Sequence, residues 1–349
     1  MKKFWIWLLS WFGFSPTKIP EEIMDETTAW VPPEEFVPEN NIIGDFLTDE
    51  EVIEILDEEE TIIVEDDIEI REPSKFAVLI GINKYDPSLN ADLNGCVNDV
   101  ENMYEVLTKT YAFPHDNIRV LTDYRATGEA MFERMEWLLS HEVPGDELVL
   151  HYSGHGSQIR DREGDELKDY MDEILCPTDL DWDRPFIDDD ISWLFNKKAD
   201  GVFLTFICDS CHSGSMTRAT TTFSGPEEKP DLPRFIQPPL DIKFRETDGL
   251  PINRIASINK EDEDTTTVMD HVLISGCRDD QTSADAFIDG KWQGAMTASL
   301  IKAIKNNPYR DWTAIHADVI SILNENSYTQ RPQLNGDDIY IKGRTIFGS

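Results

Sequence analysis

Phe76-Ala-Val-Leu-Ile-Gly-Ile82 carries no polar side chain and is bounded by Lys75 and Asn83. A strand with one wet face alternates polar and apolar residues. A continuous aliphatic run instead reads as a strand buried on both faces, which requires helices above and below a parallel sheet. Runs of the same kind lie at 117–122, 147–152, 201–208, 271–276 and 339–341. Between them, helical patterns fall at about 94–110, 129–141, 189–197, 295–305 and 312–325. Strands alternating with helices predict an α/β domain, a six-stranded and mostly parallel sheet sandwiched between helices.

The domain so predicted covers 73–349. Within it, residues 214–266 are rich in Thr, Pro, Glu and Asp and read as a long surface loop. Residues 1–72 differ in kind. Between Glu21 and Ile70 there is no lysine or arginine, while acids cluster as Asp57-Glu-Glu-Glu60 and Glu65-Asp-Asp67. Like charges this dense repel, so the block reads as an acidic, largely disordered arm; the alternative is a pro-segment that covers a site. At the very start, Lys2 and Lys3 precede an apolar segment over residues 4–14 that holds Trp5, Trp7 and Trp11. It is too short to span a bilayer. A signal peptide, a membrane-peripheral anchor and a terminus folded back on its own domain all fit, and the three stay open. The expected location is cytoplasmic, or membrane-peripheral through that segment.

Composition narrows the function. The 349 residues include 69 acids against 31 bases, a net charge of −38, which repels nucleic acids and anionic lipid. Apolar residues at 40% suffice for a core. Five cysteines are too few, and odd in number, for a disulfide scaffold; they suggest a reducing compartment or a thiol with a task.

In an open α/β sheet, ligands bind beyond the carboxyl ends of the strands. The third run leaves the sheet as His151-Tyr-Ser-Gly-His-Gly-Ser-Gln158 and the fourth as Cys208-Asp-Ser-Cys-His-Ser-Gly214. Adjacent parallel strands bring His155 and Cys211 to the same edge, as base and nucleophile. An imidazole there favours the thiolate, the attacking species. The Gly156 and Cys211 N–H groups then face a developing oxyanion. Alone, either residue has a plainer reading, a small buried thiol or a hydrogen-bonded ring; both in glycine- and serine-rich turns after consecutive strands are harder to attribute to chance. Cys208-x-x-Cys211 also matches a redox pair, but Cys208 lies inside an apolar run. His151-x-x-x-His155 has zinc spacing only on a helix, and the strand setting and Gly154 spoil it.

These stretches resemble the metacaspases, caspase-like cysteine peptidases. The resemblance rests on Ala77-Val-Leu-Ile-Gly-Ile-Asn83, Leu93-Asn-Gly-Cys-Val-Asn-Asp-Val100, His151-Tyr-Ser-Gly-His-Gly156, Asp209-Ser-Cys-His-Ser-Gly214, Ile274-Ser-Gly-Cys-Arg-Asp-Asp-Gln-Thr-Ser-Ala-Asp285 and Gln330-Arg-Pro-Gln-Leu334, in the family's order. The caspase signature Gln-Ala-Cys-x-Gly is absent. The resemblance implies a caspase-like fold, a catalytic dyad of His155 and Cys211, and cleavage after arginine or lysine through a thioester. It implies Asp99, Asp209 and Ser153 as the lining of the specificity pocket. Two carboxylates suit a guanidinium and repel the aspartate that caspases take. The plainer reading of Asp99 is an acid at a helix start. The Gln281–Asp285 segment is expected to border the groove.

Many members of that family respond to calcium, and the matching ligand positions are Asp172, Asp188 and Asp189. Clustered carboxylates suit a hard cation, although the 161–173 stretch lacks EF-hand spacing and a solvated acidic surface is the plainer reading. Seven residues after Cys211, where the family places an aspartate, this chain has Arg218. Calcium binding is therefore expected to be weak or altered, with Arg218 itself a candidate cation. Expected partners are peptides or proteins with Arg or Lys before the scissile bond, and the chain is expected to be a monomer. Candidate self-processing sites are Arg71, Lys75 and loop bases such as Arg218, Lys229 and Arg254, all in segments that read as flexible; some members of the family process themselves and others do not, and the sequence leaves both open. The rival readings are a caspase-like interaction protein without turnover and a peptidase of other specificity.

Overall fold

The computed structural model describes residues 71–141, 143–160, 171–211, 230–243, 270–278 and 280–348. The apolar start, the acidic arm up to residue 70, Arg218, Lys229 and Arg254 lie outside the described residues.

The strands, in chain order, are β1 (Lys75–Gly81), β2 (Ile118–Thr122), β3 (Glu147–Ser153), β4 (Gly156–Arg160), β5 (Met171–Leu175), β6 (Phe186–Ile187), β7 (Phe203–Asp209), β8 (Leu232–Pro233), β9 (Val272–Ser275), β10 (Ala284–Ile288), β11 (Lys291–Gly294) and β12 (Gln333–Asn335). The helices are α1 (Cys96–Lys109), α2 (Gly128–Leu139), α3 (Asp188–Phe195), α4 (Leu240–Lys243), α5 (Ala295–Asn306), α6 (Trp312–Glu325) and α7 (Asp338–Ile341). A six-stranded sheet runs β12-β9-β7-β3-β1-β2, with its first pair antiparallel and the rest parallel. Two small sheets flank it, β4-β5-β6 and β11-β10-β8. Neither flanking sheet is apparent in the apolar runs, because their strands are short or mixed in character.

The opening run behaves as its composition requires. Phe76, Val78, Ile80 and Ile82 enter one core layer, with Met131, Met135 and Leu138 of α2 and Ile191, Leu194 and Phe195 of α3. Ala77 and Leu79 enter the opposite layer, with Val100, Met103 and Leu107 of α1, Leu300 and Ile304 of α5, and Ile315 and Val319 of α6. Alternate side chains of one strand thus serve two cores, so no polar residue is tolerated in it. The helices start on local signals. Thr127 caps α2 by accepting the Ala130 N–H (3.2 Å), and Asp311 caps α6 by accepting the Ala314 N–H (2.9 Å). Among the described residues no helix is long and apolar enough to cross a membrane.

Two expectations are corrected. The run at 339–341 is a single helical turn, capped where Asp337 accepts the Ile339 N–H (3.3 Å). The sixth strand is instead β12, antiparallel at the sheet edge, with Leu334 opposite Ile274. The 214–266 stretch is not surface loop throughout. Within it Leu232–Pro233 is a strand, and Arg234 is wholly buried.

Candidate active site

Register decides what meets at the sheet edge. Gly81 of β1 lies beside Ser153 of β3, and Ser153 lies beside Asp209 of β7. These three strands therefore end together, and the chain continues from two of them into His155 and Cys211, both buried.

His155 is held on several sides. Its backbone N–H donates to Tyr85 Oη (2.8 Å), and its carbonyl accepts Tyr152 Oη (2.6 Å) and the Cys176 N–H (3.0 Å). The Tyr85 ring lies 4.9 Å away, centroid to centroid. Ring Nε2 lies 2.7 Å from the Ala91 carbonyl oxygen. A carbonyl only accepts, so this contact assigns the proton to Nε2 and leaves a lone pair on Nδ1, which has no hydrogen-bond partner among the described residues. Burial lowers the pKa of His155 to about 4, and the Arg234 guanidinium pushes the same way against the Ala91 and Arg234 carbonyls and Asp92. The sulfur of Cys211 lies against one peptide unit. It accepts the Ser283 N–H (2.6 Å) and reaches the Ser283 carbonyl at 3.4 Å.

Beside the thiol is a pocket with three fully buried carboxylates, Asp99, Asp209 and Asp285. Each is fixed by its own donors. Asp99, in the first turn of α1, accepts Gly294 N–H (3.0 Å) and Ser153 Oγ (2.8 Å). Asp209 accepts the Thr297 N–H (2.9 Å), Thr297 Oγ1 (2.7 Å) and Ser283 Oγ (2.5 Å). Asp285 accepts the backbone N–H groups of Asn94 (2.8 Å) and Gly95 (3.0 Å). Burial raises Asp99 to about 6, aided by Asp209 and opposed by Arg234. Gly294 is required here, since a Cβ at that position would run into the Asp209 carboxylate and the Arg234 guanidinium.

The pocket holds the Arg234 side chain. One guanidinium nitrogen contacts Asp99 (2.8 Å) and Asp285 (3.1 Å); the other contacts Asp209 (3.2 Å) and Ser153 Oγ (2.9 Å). The Arg234 carbonyl oxygen accepts two hydrogen bonds, from the N–H of Gly156 (3.1 Å) and of Cys211 (3.2 Å). The structure thus brings together Asp99, Ser153, His155, Gly156, Asp209 and Cys211. Sequence reasoning missed two residues. Asp285 ends a motif that from sequence reads only as a groove border, and Arg234 is one base among several in a stretch that reads as a loop.

Other expectations fare differently. Lys75 is not flexible: it opens β1, and its Nζ donates to the carbonyls of Tyr111 (2.9 Å), Phe347 (3.0 Å) and Gly348 (3.1 Å). Arg71 is fastened to Asp146 (2.8 Å). Cys208 is buried in β7, and burial pushes its thiol up to about 12, which makes it a poor redox partner. Asp172 is buried in β5, and Asp188 and Asp189 stand in the first turn of α3, where Asp188 accepts the Glu173 N–H (3.1 Å). Among the described residues no three His, Cys, Asp or Glu side chains gather as metal ligands.

Comparison with known proteins agrees with this architecture. The caspase domain family matches residues 74–339. Metacaspase-1 of Saccharomyces cerevisiae is 34% identical over 286 residues, covering 74% of this chain and 65% of the yeast protein. Metacaspase-1A of Neurospora crassa is 34% identical over 284 residues, covering 74% of this chain and 62% of that protein. The chain thus spans somewhat less than two thirds of these relatives. A crystal structure from Geobacter sulfurreducens superposes with a TM-score of 0.56 at 25% identity, covering 78% of this chain and 98% of that one. Caspase-1 of Spodoptera frugiperda shares the fold, with a TM-score of 0.50 at 12% identity over 79% of this chain and 90% of that one. A family match over most of the described fold, with metacaspases among the relatives, makes this chain a metacaspase-like member of the caspase family.

Proposed function

We propose that the chain is a cysteine endopeptidase that hydrolyses peptide bonds after arginine or lysine. The observation that carries this reading is the convergence of two backbone N–H groups, from Gly156 and Cys211, on one carbonyl oxygen beside an acidic pocket. Such a pair stabilises the oxyanion of an acyl transfer and costs no reorganisation as charge develops.

The steps follow from the positions. The substrate's basic side chain enters between Asp99, Asp209 and Asp285, which fixes the preceding backbone. Cys211 Sγ attacks the carbonyl carbon. His155, held by Ala91 with Nδ1 bearing its lone pair, takes the thiol proton and delivers it to the leaving amine. Water then hydrolyses the thioester. Three carboxylates favour a guanidinium over an ammonium, since the planar fork reaches several oxygens at once. They repel an aspartate at the same position. Calcium enters this reading only as a weak modulator, on the strength of Arg218.

The test uses two peptides that differ only in Arg or Asp before the scissile bond, with Cys211→Ala as control. Hydrolysis of the Arg peptide alone, lost in Cys211→Ala, supports the reading. Preference for the Asp peptide, or turnover unchanged in Cys211→Ala, overturns it.

A further inference from the structure

Two thiols lie where core packing does not call for them. Cys96, Cys176 and Cys208 belong to one apolar layer against the sheet, the ordinary place of a small buried thiol. Cys211 and Cys277 belong to neither apolar layer, although both are buried. They leave adjacent parallel strands. Cys208 of β7 stands beside Ser275 of β9, so Cys211 comes three residues and Cys277 two residues past the same rung. Neighbouring strands lie about 4.8 Å apart, within the ~4.4–6.8 Å between Cα atoms that a disulfide spans. Both sulfurs rest on one short loop. Cys277 Sγ donates to the Gln281 carbonyl (3.3 Å), and Cys211 Sγ accepts the Ser283 N–H (2.6 Å). A hydrogen bond between the two cysteine side chains, with burial second, holds the Cys277 thiol above its ordinary range. Cys277 also faces a cavity of about 260 Å³, walled by Cys208, Phe195 and Phe206 among others, with ample room for a molecule little larger than water.

We propose, given the peptidase activity assigned to this site, that Cys277 is the resolving thiol of the nucleophile: a peroxide oxidises Cys211, Cys277 closes a disulfide with it, and the site stays off until a dithiol reopens it. Cys211, as the thiolate left when its proton passes to His155, attacks one peroxide oxygen. The O–O bond breaks, and the hydroxide released takes the proton from His155 and leaves as water, with a sulfenic acid at Cys211. The Cys277 sulfur then attacks the Cys211 sulfur. The S–O bond breaks, and hydroxide leaves with the Cys277 proton as a second water. The two thiols lose two electrons between them, and the peroxide is reduced to two waters. A dithiol reverses the linkage by exchange and ends as a disulfide itself. The pairing removes the nucleophile, so no thioester can form. It also traps the sulfenic acid before more peroxide carries it to sulfinic acid, which a dithiol does not reduce. Cys277 has no part in the catalytic steps, so the reduced enzyme does not need it.

The experiment uses the full chain as wild type, Cys277→Ser, Cys277→Ala and Cys208→Ala. Each is reduced, exposed to graded hydrogen peroxide, blocked by alkylation and mapped by mass spectrometry without reduction. Turnover of a short Arg peptide is read before peroxide, after it and after a dithiol. The wild type and Cys208→Ala are expected to form a cross-link between Cys211 and Cys277, to lose turnover in step with it, and to regain most of it in dithiol. Cys277→Ser and Cys277→Ala are expected to match the wild type in reductant and to form no such cross-link. After the same peroxide dose they are expected to regain about tenfold less activity, with sulfinic acid at Cys211. Serine keeps the hydrogen bond and alanine the apolar burial, so a folding defect in one leaves the other to decide. Sulfinic acid at Cys211 of the wild type with no cross-link overturns the proposal and leaves the peptidase reading intact. So does a Cys208–Cys277 cross-link in its place, or full recovery in both Cys277 variants. A Cys211–Cys277 cross-link in a chain that never hydrolyses the Arg peptide supports the thiol pairing and overturns the peptidase reading.

Discussion

His155 Nε2 lies 2.7 Å from the Ala91 carbonyl oxygen, and that single contact decides which ring nitrogen is free for chemistry. The ring's backbone is held in turn by Tyr85, whose hydroxyl accepts the His155 N–H at 2.8 Å in a fully buried setting. Tyr85→Phe keeps the ring and removes the acceptor. A buried N–H left unpaired costs about 1–3 kcal/mol. The expected outcome is a lower urea midpoint and a kcat reduced more than KM is raised, because the base moves while the pocket does not. A variant changed only in KM would show that Tyr85 does not position His155.

Acid should destabilise the fold in a defined window. Burial lowers His151, His155 and His271 each to about 4, from an ordinary value of 6.5. Below pH 6.5 the unfolded chain protonates these rings while the folded chain does not. Stability is therefore lost as pH falls from 6.5 towards 4, by up to about 1.4 kcal/mol per pH unit for each ring. Asp99 works the other way: raised to about 6, it takes up a proton in the folded state first and offsets about one ring between pH 6 and its unfolded value. Urea unfolding of Cys211→Ala, which avoids self-digestion, should show the midpoint falling across this range. A flat profile would mean the rings are not held neutral.

The third carboxylate should matter as much as the two legible in the sequence. Asp285 meets the guanidinium at 3.1 Å and is pinned by the Asn94 and Gly95 N–H groups. Asp285→Asn keeps the shape and removes the charge. We expect kcat/KM for an Arg peptide to fall on the order of 100-fold, mainly through KM, since breaking a buried charge pair costs a few kcal/mol. A Lys peptide should lose less, because a single ammonium engages fewer oxygens. Equal losses would place Asp285 outside the pocket's recognition.

Much of this was legible for a physical reason, and the rest was not for another. Phe76 to Ile82 announces a doubly buried strand because no other setting tolerates such a run. Parallel pairing then brings the turns at His155 and Cys211 to one edge. Ile339-Tyr-Ile341 misleads because a short apolar run fits a strand or a helical turn equally, and only the cap at Asp337 decides. Arg234 was illegible because its burial depends on Asp99, Asp209 and Asp285, all distant along the chain. A basic residue within a long stretch rich in Thr, Pro, Glu and Asp looks like part of a solvated loop until those partners are seen around it.

Calcium gives the last prediction. The resemblance points to Asp172, Asp188 and Asp189 as ligand positions, but Arg218 stands where the family supplies a further carboxylate. A divalent ion held mainly by oxygen ligands loses affinity with each one removed, and a guanidinium nearby adds repulsion. We expect hydrolysis of the Arg peptide to change by no more than about twofold between a strong chelator and millimolar calcium. Arg218→Asp restores the missing charge and should create a calcium response, visible as both a rise in rate and a metal-dependent increase in melting temperature. If the unaltered chain is silent in chelator and rescued by micromolar calcium, Arg218 swings clear of the ion, and the ligand set is completed by other oxygens.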